Sequence, residues 1–361
     1  MSTRIGIVGM PNAGKSSLFN ALTKAGAEAA NYPFTTIEPN VAVVPVRDAR
    51  LEQVAATVGA SEIVWDTIDF HDIAGLVAGA HKGEGLGNRF LANIRETHAI
   101  VHVVRAHGDA SVVHPEGSVD PIRDVETIET ELVMADLEQA GRRLERVGRQ
   151  ARGGDRVAVA EEAWLRAVVA ELEAGRPARG VPVPEEAPNA ARELGALTSK
   201  PVLFVANVDE GSEELPAALA EHAAAQGARA VAISSRIESE LAELEDEDAA
   251  AMREDLGLSE SGLQRVIGEA FALLELIAFF TAGEGKPAQS WHLRSGLTAW
   301  HAAGEIHSDI QKGFVRAEVI GWRELVDAGG YAGARERGTL RLEGRDYAMN
   351  DGDVITVKFT P

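Results

Sequence analysis

The 361-residue chain contains no cysteine. A disulfide framework, thiol catalysis and Cys-ligated zinc are thereby excluded. Long apolar runs are also missing: nothing approaches the ~18 residues of a membrane span, and the N-terminus leads straight into a strand pattern. The expectation is a cytoplasmic protein with neither a membrane segment nor a signal peptide. Basic residues are scarce, 35 Lys and Arg against 56 Asp and Glu, for a formal net charge of −21. Such a field argues against nucleic-acid binding over the whole surface. Any RNA contact has to be local. The apolar fraction of 45% and charged fraction of 25% are those of a soluble globular chain with ample core.

The most informative stretch that is present is Gly9-Met10-Pro11-Asn12-Ala13-Gly14-Lys15-Ser16-Ser17. It fits G-x-x-x-x-G-K-[ST], a loop whose glycines let successive backbone N–H groups converge on phosphate oxygens. Lys15 supplies the cation for the β- and γ-phosphates and Ser16 the hydroxyl for Mg²⁺. Arg4 to Val8 reads as an apolar strand before the loop and Ser17 to Lys24 as a helix after it. That helix aims its positive dipole end at the phosphates. Asn12, Ala13, Gly14, Lys15, Ser16 and Ser17 are the expected phosphate-binding residues, with Lys15 also counted as catalytic.

Further along, Thr67 to Asp72 is a strand ending in Asp72-Ile73-Ala74-Gly75. D-x-x-G is weak alone and strong behind a P-loop. Asp72 is expected to hold Mg²⁺ through water, and the Gly75 N–H to meet the γ-phosphate. Thr36, in the proline-bracketed loop from Asn31 to Asn40, completes the metal set when that loop closes. The glycine-dense stretch Gly79 to Asn88 suits a switch loop. Val41 to Val46, Ala99 to Arg105, Pro201 to Ala206 and Ala230 to Ile233 read as further strands, and Leu51 to Val58 as a helix. The alternation predicts a doubly wound α/β sheet with its ligand at the carboxyl ends of the strands.

The α/β pattern is interrupted between Pro121 and Asn189. Val125, Ile128, Leu132 and Ala135 form one helical stripe, and Val157, Ala160, Trp164 and Val168 a second. Gly153-Gly154 breaks the pattern between them, which predicts an antiparallel helical hairpin over 121–190, with the proline-rich stretch from Gly175 as an extended return. Residues 141–156 hold six arginines (142, 143, 146, 149, 152 and 156) against Glu145 and Asp155, a net of +4 in an acidic chain. A basic tip of this kind is able to reach RNA phosphates, or is simply a solvated helix surface. Leu263 to Phe280 reads as a hydrophobic helix running into a strand. Beyond residue 280 the character changes to a small α+β region with strands at Trp291–Arg294, Val315–Ile320 and Val354–Phe359, a helix at Thr298–Glu305 and a net charge of only −1.

Taken together, these segments resemble the YchF / Obg-like ATPase family over nearly the whole chain. The carriers are residues 9–16, Asn31 to Asn40, Asp72 to Val77, Gly83 to Asn88, Asn93 to Thr97 and Asn207-Val208-Asp209-Glu210, with Ile306 to Asp309, Gly313 to Val319 and Asp351 to Val354 looking like a TGS domain. The resemblance implies a P-loop NTPase domain over 1–280, interrupted by the hairpin, and a β-grasp TGS domain over 281–361. It also implies ATP as ligand and association with ribosomes, the large subunit being the expected partner, with RNA met at the hairpin tip or the TGS domain.

Three positions qualify this picture. Ras-like enzymes follow D-x-x-G with a glutamine that orients the attacking water; Leu76 stands there and is unable to do so. His102, inside the Ala99–Arg105 strand, is a candidate replacement or else a core histidine, and His81 and Lys82 are others. Asn12 occupies a position from which related enzymes help bind K⁺. Guanine reading needs N-K-x-D, whereas Asn207-Val208-Asp209-Glu210 lacks the lysine and carries an acid one methylene longer. Asn207, Val208 and Glu210, closed by Ser234 and Ser235, are therefore expected to take adenine. The competing readings are an Obg-type GTPase and an adaptor that holds nucleotide for structural reasons with little turnover.

Overall fold

In the computed structural model, residues 3–27, 40–73, 86–109, 111–258 and 260–360 are described. In chain order they form β1 (Thr3–Val8), α1 (Lys15–Ala27), β2 (Val41–Pro45), α2 (Ala49–Val58), β3 (Ile63–Val64), β4 (Thr67–Asp72), α3 (Leu86–Arg95), β5 (Ala99–Arg105), α4 (Pro121–Ala151), α5 (Arg156–Glu173) and α6 (Ala190–Leu194). There follow β6 (Val202–Asn207), α7 (Ala217–Ala225), β7 (Arg229–Ile233), α8 (Ser235–Leu241), α9 (Asp246–Asp255), α10 (Gly262–Leu273), β8 (Leu276–Thr281) and β9 (Ala288–Arg294). The C-terminal part adds α11 (Ala299–Ile306), α12 (Ser308–Lys312), β10 (Phe314–Gly321), α13 (Trp322–Asp327), α14 (Tyr331–Arg337), β11 (Arg341–Glu343) and β12 (Asp353–Phe359). No described helix is long and apolar enough to cross a membrane.

One sheet has the strand order β2-β4-β1-β5-β6-β7, with β1, β5, β6 and β7 pairing in parallel. β5 is buried along its whole length, as a central parallel strand covered on both faces must be. Side-chain alternation sorts its residues. Ile100 packs with Ile128 and Leu132 of α4, and Val104 with Val125 of α4 and Leu219 of α7. His102 shares their parity and faces the same helical layer. Two segments differ from the sequence expectation. Leu86–Asn88, read as loop, open α3. Gly175–Asn189, read as an extended return, contains a 3₁₀ turn at Ala178–Gly180.

The helical hairpin forms as predicted, with one change of face. Asp120 caps α4 through Arg123 N, with Pro121 in the first turn, and Asp155 caps α5 through Val157 N. Gly154, at φ +82°, turns the chain between them. On α5, Val157 is 51% exposed, and the buried stripe is Ala158, Glu161, Leu165, Val168 and Leu172, with Trp164 beside it. Glu161 goes inward with this stripe and meets Arg143, whose Nε lies 2.5 Å from Glu161 Oε1. Asp136 anchors the hairpin base, accepting from Leu197 N at 2.8 Å, Thr198 N at 2.8 Å and Thr198 Oγ1 at 2.7 Å.

The described residues divide into two compact units, one within Thr3–Val43 and Asp69–Leu273, the other within Val44–Ile68 and Leu274–Pro361. This corrects the sequence-based boundary at 281. β8 leaves the NTPase region because it pairs antiparallel with β9 and parallel with β12. Val44–Ile68 joins the same unit because β3 pairs with β9. The second sheet runs β11-β10-β12-β8-β9-β3. From β8 onward it consists of a hairpin, the crossing helix α11 and a last strand parallel to the first, which is a β-grasp order. Its core is Phe279, Leu293, Ala299, Ala302, Ala317, Val319, Met349 and Ile355.

Candidate functional site

The phosphate loop occupies the turn from β1 into α1, and its glycines are required by contacts. A Cβ on Gly9 would lie 2.4 Å from Val103 O. A Cβ on Gly14, at φ +102°, would lie 2.2 Å from Asn207 Nδ2. Lys15 is buried, and its ammonium donates to Gly9 O at 2.9 Å and Met10 O at 2.8 Å. It thus satisfies the loop's own carbonyls. Burial lowers the Lys15 pKa, and the Asp72 carboxylate partly offsets this. Burial raises the Asp72 pKa, and Lys15 opposes it. The two groups therefore stabilise one another's charged form at the end of β4. Thr36, Gly75, Leu76, His81 and Lys82 lie outside the described residues.

A cavity of about 380 Å³ opens beside the loop. Asn12, Gly14, Lys15, Ser16 and Ser17 line one end; Val208, Glu210 and Ser234 are at the other, where sequence reasoning put the base. Ala13 is not at the surface of the cavity; it is 2% exposed and acts through its carbonyl. Asn207 lines the wall, but its amide is engaged: Nδ2 donates to Ala13 O at 3.0 Å and Oδ1 accepts from Ser235 N at 2.9 Å. Sequence reasoning placed Asn207 among the residues that take adenine; both ends of its amide are engaged by protein groups. It stitches the phosphate loop to the start of α8. Ser235 is completely buried and does not reach the cavity, and Ser234 caps α8 through Ile237 N.

Sequence reasoning missed His107, Asp109, Val112, Asp209 and Arg236, which complete the lining. The signal was available: residues 106–113 follow β5, and ligands in such sheets bind beyond the carboxyl ends of strands. The segment is held from beneath by Arg105, 3% exposed, which donates to Val112 O at 2.9 Å and Asp109 O at 2.7 Å. Asn12, at φ +64°, donates to Val113 O at 3.0 Å, so it docks this segment on the phosphate loop. Burial and the neighbouring Arg105 push the His107 pKa down.

His102 is not brought to this site. It is 3% exposed and lines a separate interior space with Ile128, Leu132, Glu129 and Arg179. Its ring lies 5.5 Å from that of Phe204, and Nε2 has no partner among the described residues. Burial, with Lys15 and His222 adding repulsion, lowers its pKa to about 3. Packed under α4 and away from the cavity beside the phosphate loop, the imidazole has the surroundings of a core residue. The tip arginines divide similarly. Arg143 is bound to Glu161 and, at 2.6 Å, to Glu193, and Arg142 pairs with Glu138. Arg146, Arg149, Arg152 and Arg156 are exposed.

The phosphate loop between β1 and α1, the buried lysine and the parallel sheet define a P-loop NTPase fold. Comparison with known proteins narrows this. The family profile described as "50S ribosome-binding GTPase" matches residues 4–136, and the profile of the YchF GTPase C-terminal region, described as a protein of unknown function, matches 276–360. The chain is 47% identical over 366 residues to a Bacillus subtilis protein named "Ribosome-binding ATPase YchF", covering 99% of this chain and 100% of that one. A Haemophilus influenzae protein of the same name is 49% identical over 362 residues, covering 99% of each. The solved structure of the Schizosaccharomyces pombe YchF GTPase superposes with a TM-score of 0.88 at 34% identity, covering 99% of this chain and 98% of that one. The chain belongs to the YchF family.

Proposed function

We propose that the chain is a ribosome-associated ATPase of the cytoplasm, which binds ATP with Mg²⁺ and hydrolyses it slowly. The names of its relatives support both halves of this reading, and the "50S" in the matching family's description favours the large subunit as partner. The observation that carries the choice of ATP is at the base end. Glu210 points its carboxylate at Arg236, Oε1 to Nη1 at 3.0 Å, instead of standing free over the cavity. Guanine needs that acceptor for its N1–H and N2 amine; adenine presents N1 as an acceptor and is repelled by a facing carboxylate. Val208 supplies an apolar wall where a guanine-reading site has lysine.

The residues present fit a magnesium ion: a serine hydroxyl and a carboxylate are hard oxygen donors. Ser16 and Asp72 would hold the ion, with Thr36 as the third expected ligand, and the ion would neutralise charge developing on the phosphates. Lys15 would exchange its loop carbonyls for β- and γ-phosphate oxygens, and the Gly9–Ser17 amides would orient the chain of phosphates. With Leu76 at the water-positioning place and His102 under α4, no described side chain replaces the glutamine, which is consistent with slow turnover. K⁺ at Asn12 would use the amide oxygen, its nitrogen being taken by Val113 O.

At the hairpin tip Arg146, Arg149, Arg152 and Arg156 remain for RNA phosphates. Calorimetric titration of ATP and GTP in Mg²⁺ tests the base preference, and multiple-turnover phosphate release separates an ATPase from an adaptor. GTP binding tenfold tighter than ATP would return the chain to the GTPase reading. Co-sedimentation with ribosomal subunits tests the partner.

A further inference from the structure

Glu210 is longer than the guanine-reading aspartate by one methylene, but length alone does not disarm a carboxylate. The side chain is 52% exposed and lines the cavity. Something must decide where it points. Arg236, in the first turn of α8, lines the same cavity. Its Nη1 is 3.0 Å from Glu210 Oε1, and its Nε is 3.1 Å from Glu240 Oε1 one helical turn on. Glu240 therefore fixes the guanidinium from one side while Nη1 presents itself to Glu210 on the other. Asp109 adds attraction from the segment after β5. The described lining holds Asp109, Asp209 and Glu210; Arg236 pairs with Glu210 and is attracted by Asp109.

We propose that Arg236 is a specificity-determining residue of the nucleotide site, which admits adenine by holding the Glu210 carboxylate away from the place where it would read guanine. The proposal rests on the reading that the cavity takes the purine of ATP, and it deepens that reading. With the guanidinium removed, Glu210 is free to accept from the N1–H and N2 amine of guanine, and the uncompensated acids at this end disfavour adenine N1. The effect is modest because an exposed ion pair is weak.

The experiment is calorimetry of the full chain with ATP, GTP and ITP in Mg²⁺, on the parent and on Arg236→Ala, Glu210→Ala and the double variant. Arg236→Ala is expected to shift the ratio of affinities toward GTP by about three- to tenfold, each tenfold being about 1.4 kcal/mol. ITP, which lacks the N2 amine, is expected to gain less than GTP. In the double variant the ratio is expected to return to that of Glu210→Ala, since the arginine acts through the carboxylate. A shift below threefold in Arg236→Ala, or one that persists undiminished in the double variant, overturns the proposal. A parent that prefers GTP refutes the ATP reading instead, and the change of ratio between the four proteins still decides the role of Arg236.

Discussion

The two ends of the cavity beside the phosphate loop are built by different physics. At the phosphate end, buried side chains meet backbone. Gly14 touches Asn207, Asn207 ties Ala13 to Ser235, and Lys15 is buried against the carbonyls of Gly9 and Met10. Removing any of these hydrogen bonds leaves a buried polar group unmet. At the base end, charged side chains meet at the surface. Arg236 and Glu210 are 69% and 52% exposed, and their attraction is shared with solvent. Rigid backbone suits a ligand part common to all nucleoside triphosphates. Exposed, rotatable ion pairs suit the part that distinguishes one from another, because small energies there change preference without endangering the fold.

The comparison breaks most visibly at Gly14. Gly14→Ala forces a Cβ against the Asn207 amide in a left-handed backbone, at a cost of about 2–4 kcal/mol, and nucleotide affinity is expected to fall by about 100-fold. Lys15→Ala, which removes the fixed cation, should abolish tight triphosphate binding to a comparable degree. Calorimetry reads both, and ATP affinity equal to the parent's would refute the site. Next comes Asn207→Ala, which leaves Ala13 O and Ser235 N without partners for about 2–4 kcal/mol. The melting temperature should drop by about 4–16 °C. ATP and GTP should weaken together, within twofold of one another; a selective loss of one nucleotide would move Asn207 to the base end.

His102 sharpens the contrast by serving neither end. Its pKa is about 6.5 when unfolded and about 3 when folded. The folded state therefore resists protonation, and the contribution to stability is complete above pH 6.5 and lost as pH falls toward 3. Between pH 7 and pH 5 this amounts to about 2 kcal/mol. Denaturant unfolding at the two pH values should show that the parent loses about this much more than His102→Phe, whose phosphate release at pH 7.5 should match the parent's. Equal pH dependence of the two proteins would contradict the burial of a neutral ring.

The smallest effects lie at the hairpin tip. Replacing Arg146, Arg149, Arg152 and Arg156 together is expected to leave the melting temperature within a few degrees. The salt slope of ribosome binding should fall by about 1 for each RNA phosphate that an arginine no longer neutralises. Arg143→Ala, by contrast, should destabilise the hairpin, because Glu161 is 9% exposed and is left without its partner. An unchanged slope in the fourfold variant would turn attention to the β-grasp unit.

By itself the sequence determined whatever is local in the chain. The phosphate loop is nine consecutive residues between a strand and a helix, so Gly14, Lys15 and Ser16 were readable without any distant contact. The hairpin was readable from its stripes and from Gly153-Gly154, and β5 from its apolar run around His102. Tertiary structure alone decided which residues meet across long separations. Asn207 faces Ala13 from 194 positions away, and nothing in Asn-Val-Asp-Glu reveals that its amide is engaged by the phosphate loop instead of by a base. Arg143 and Arg146 look equivalent in a run of arginines; one faces Glu161 and Glu193, the other water. The strand that ends the Leu263–Phe280 stretch reads as part of the first domain until the pairing of β8 with β9 and β12 assigns it to the second sheet. The physical reason is common to all three. A local motif carries its geometry in its own dihedral angles, whereas the partner of an amide, a guanidinium or a strand edge is selected by which other segment the folded core brings within hydrogen-bond reach.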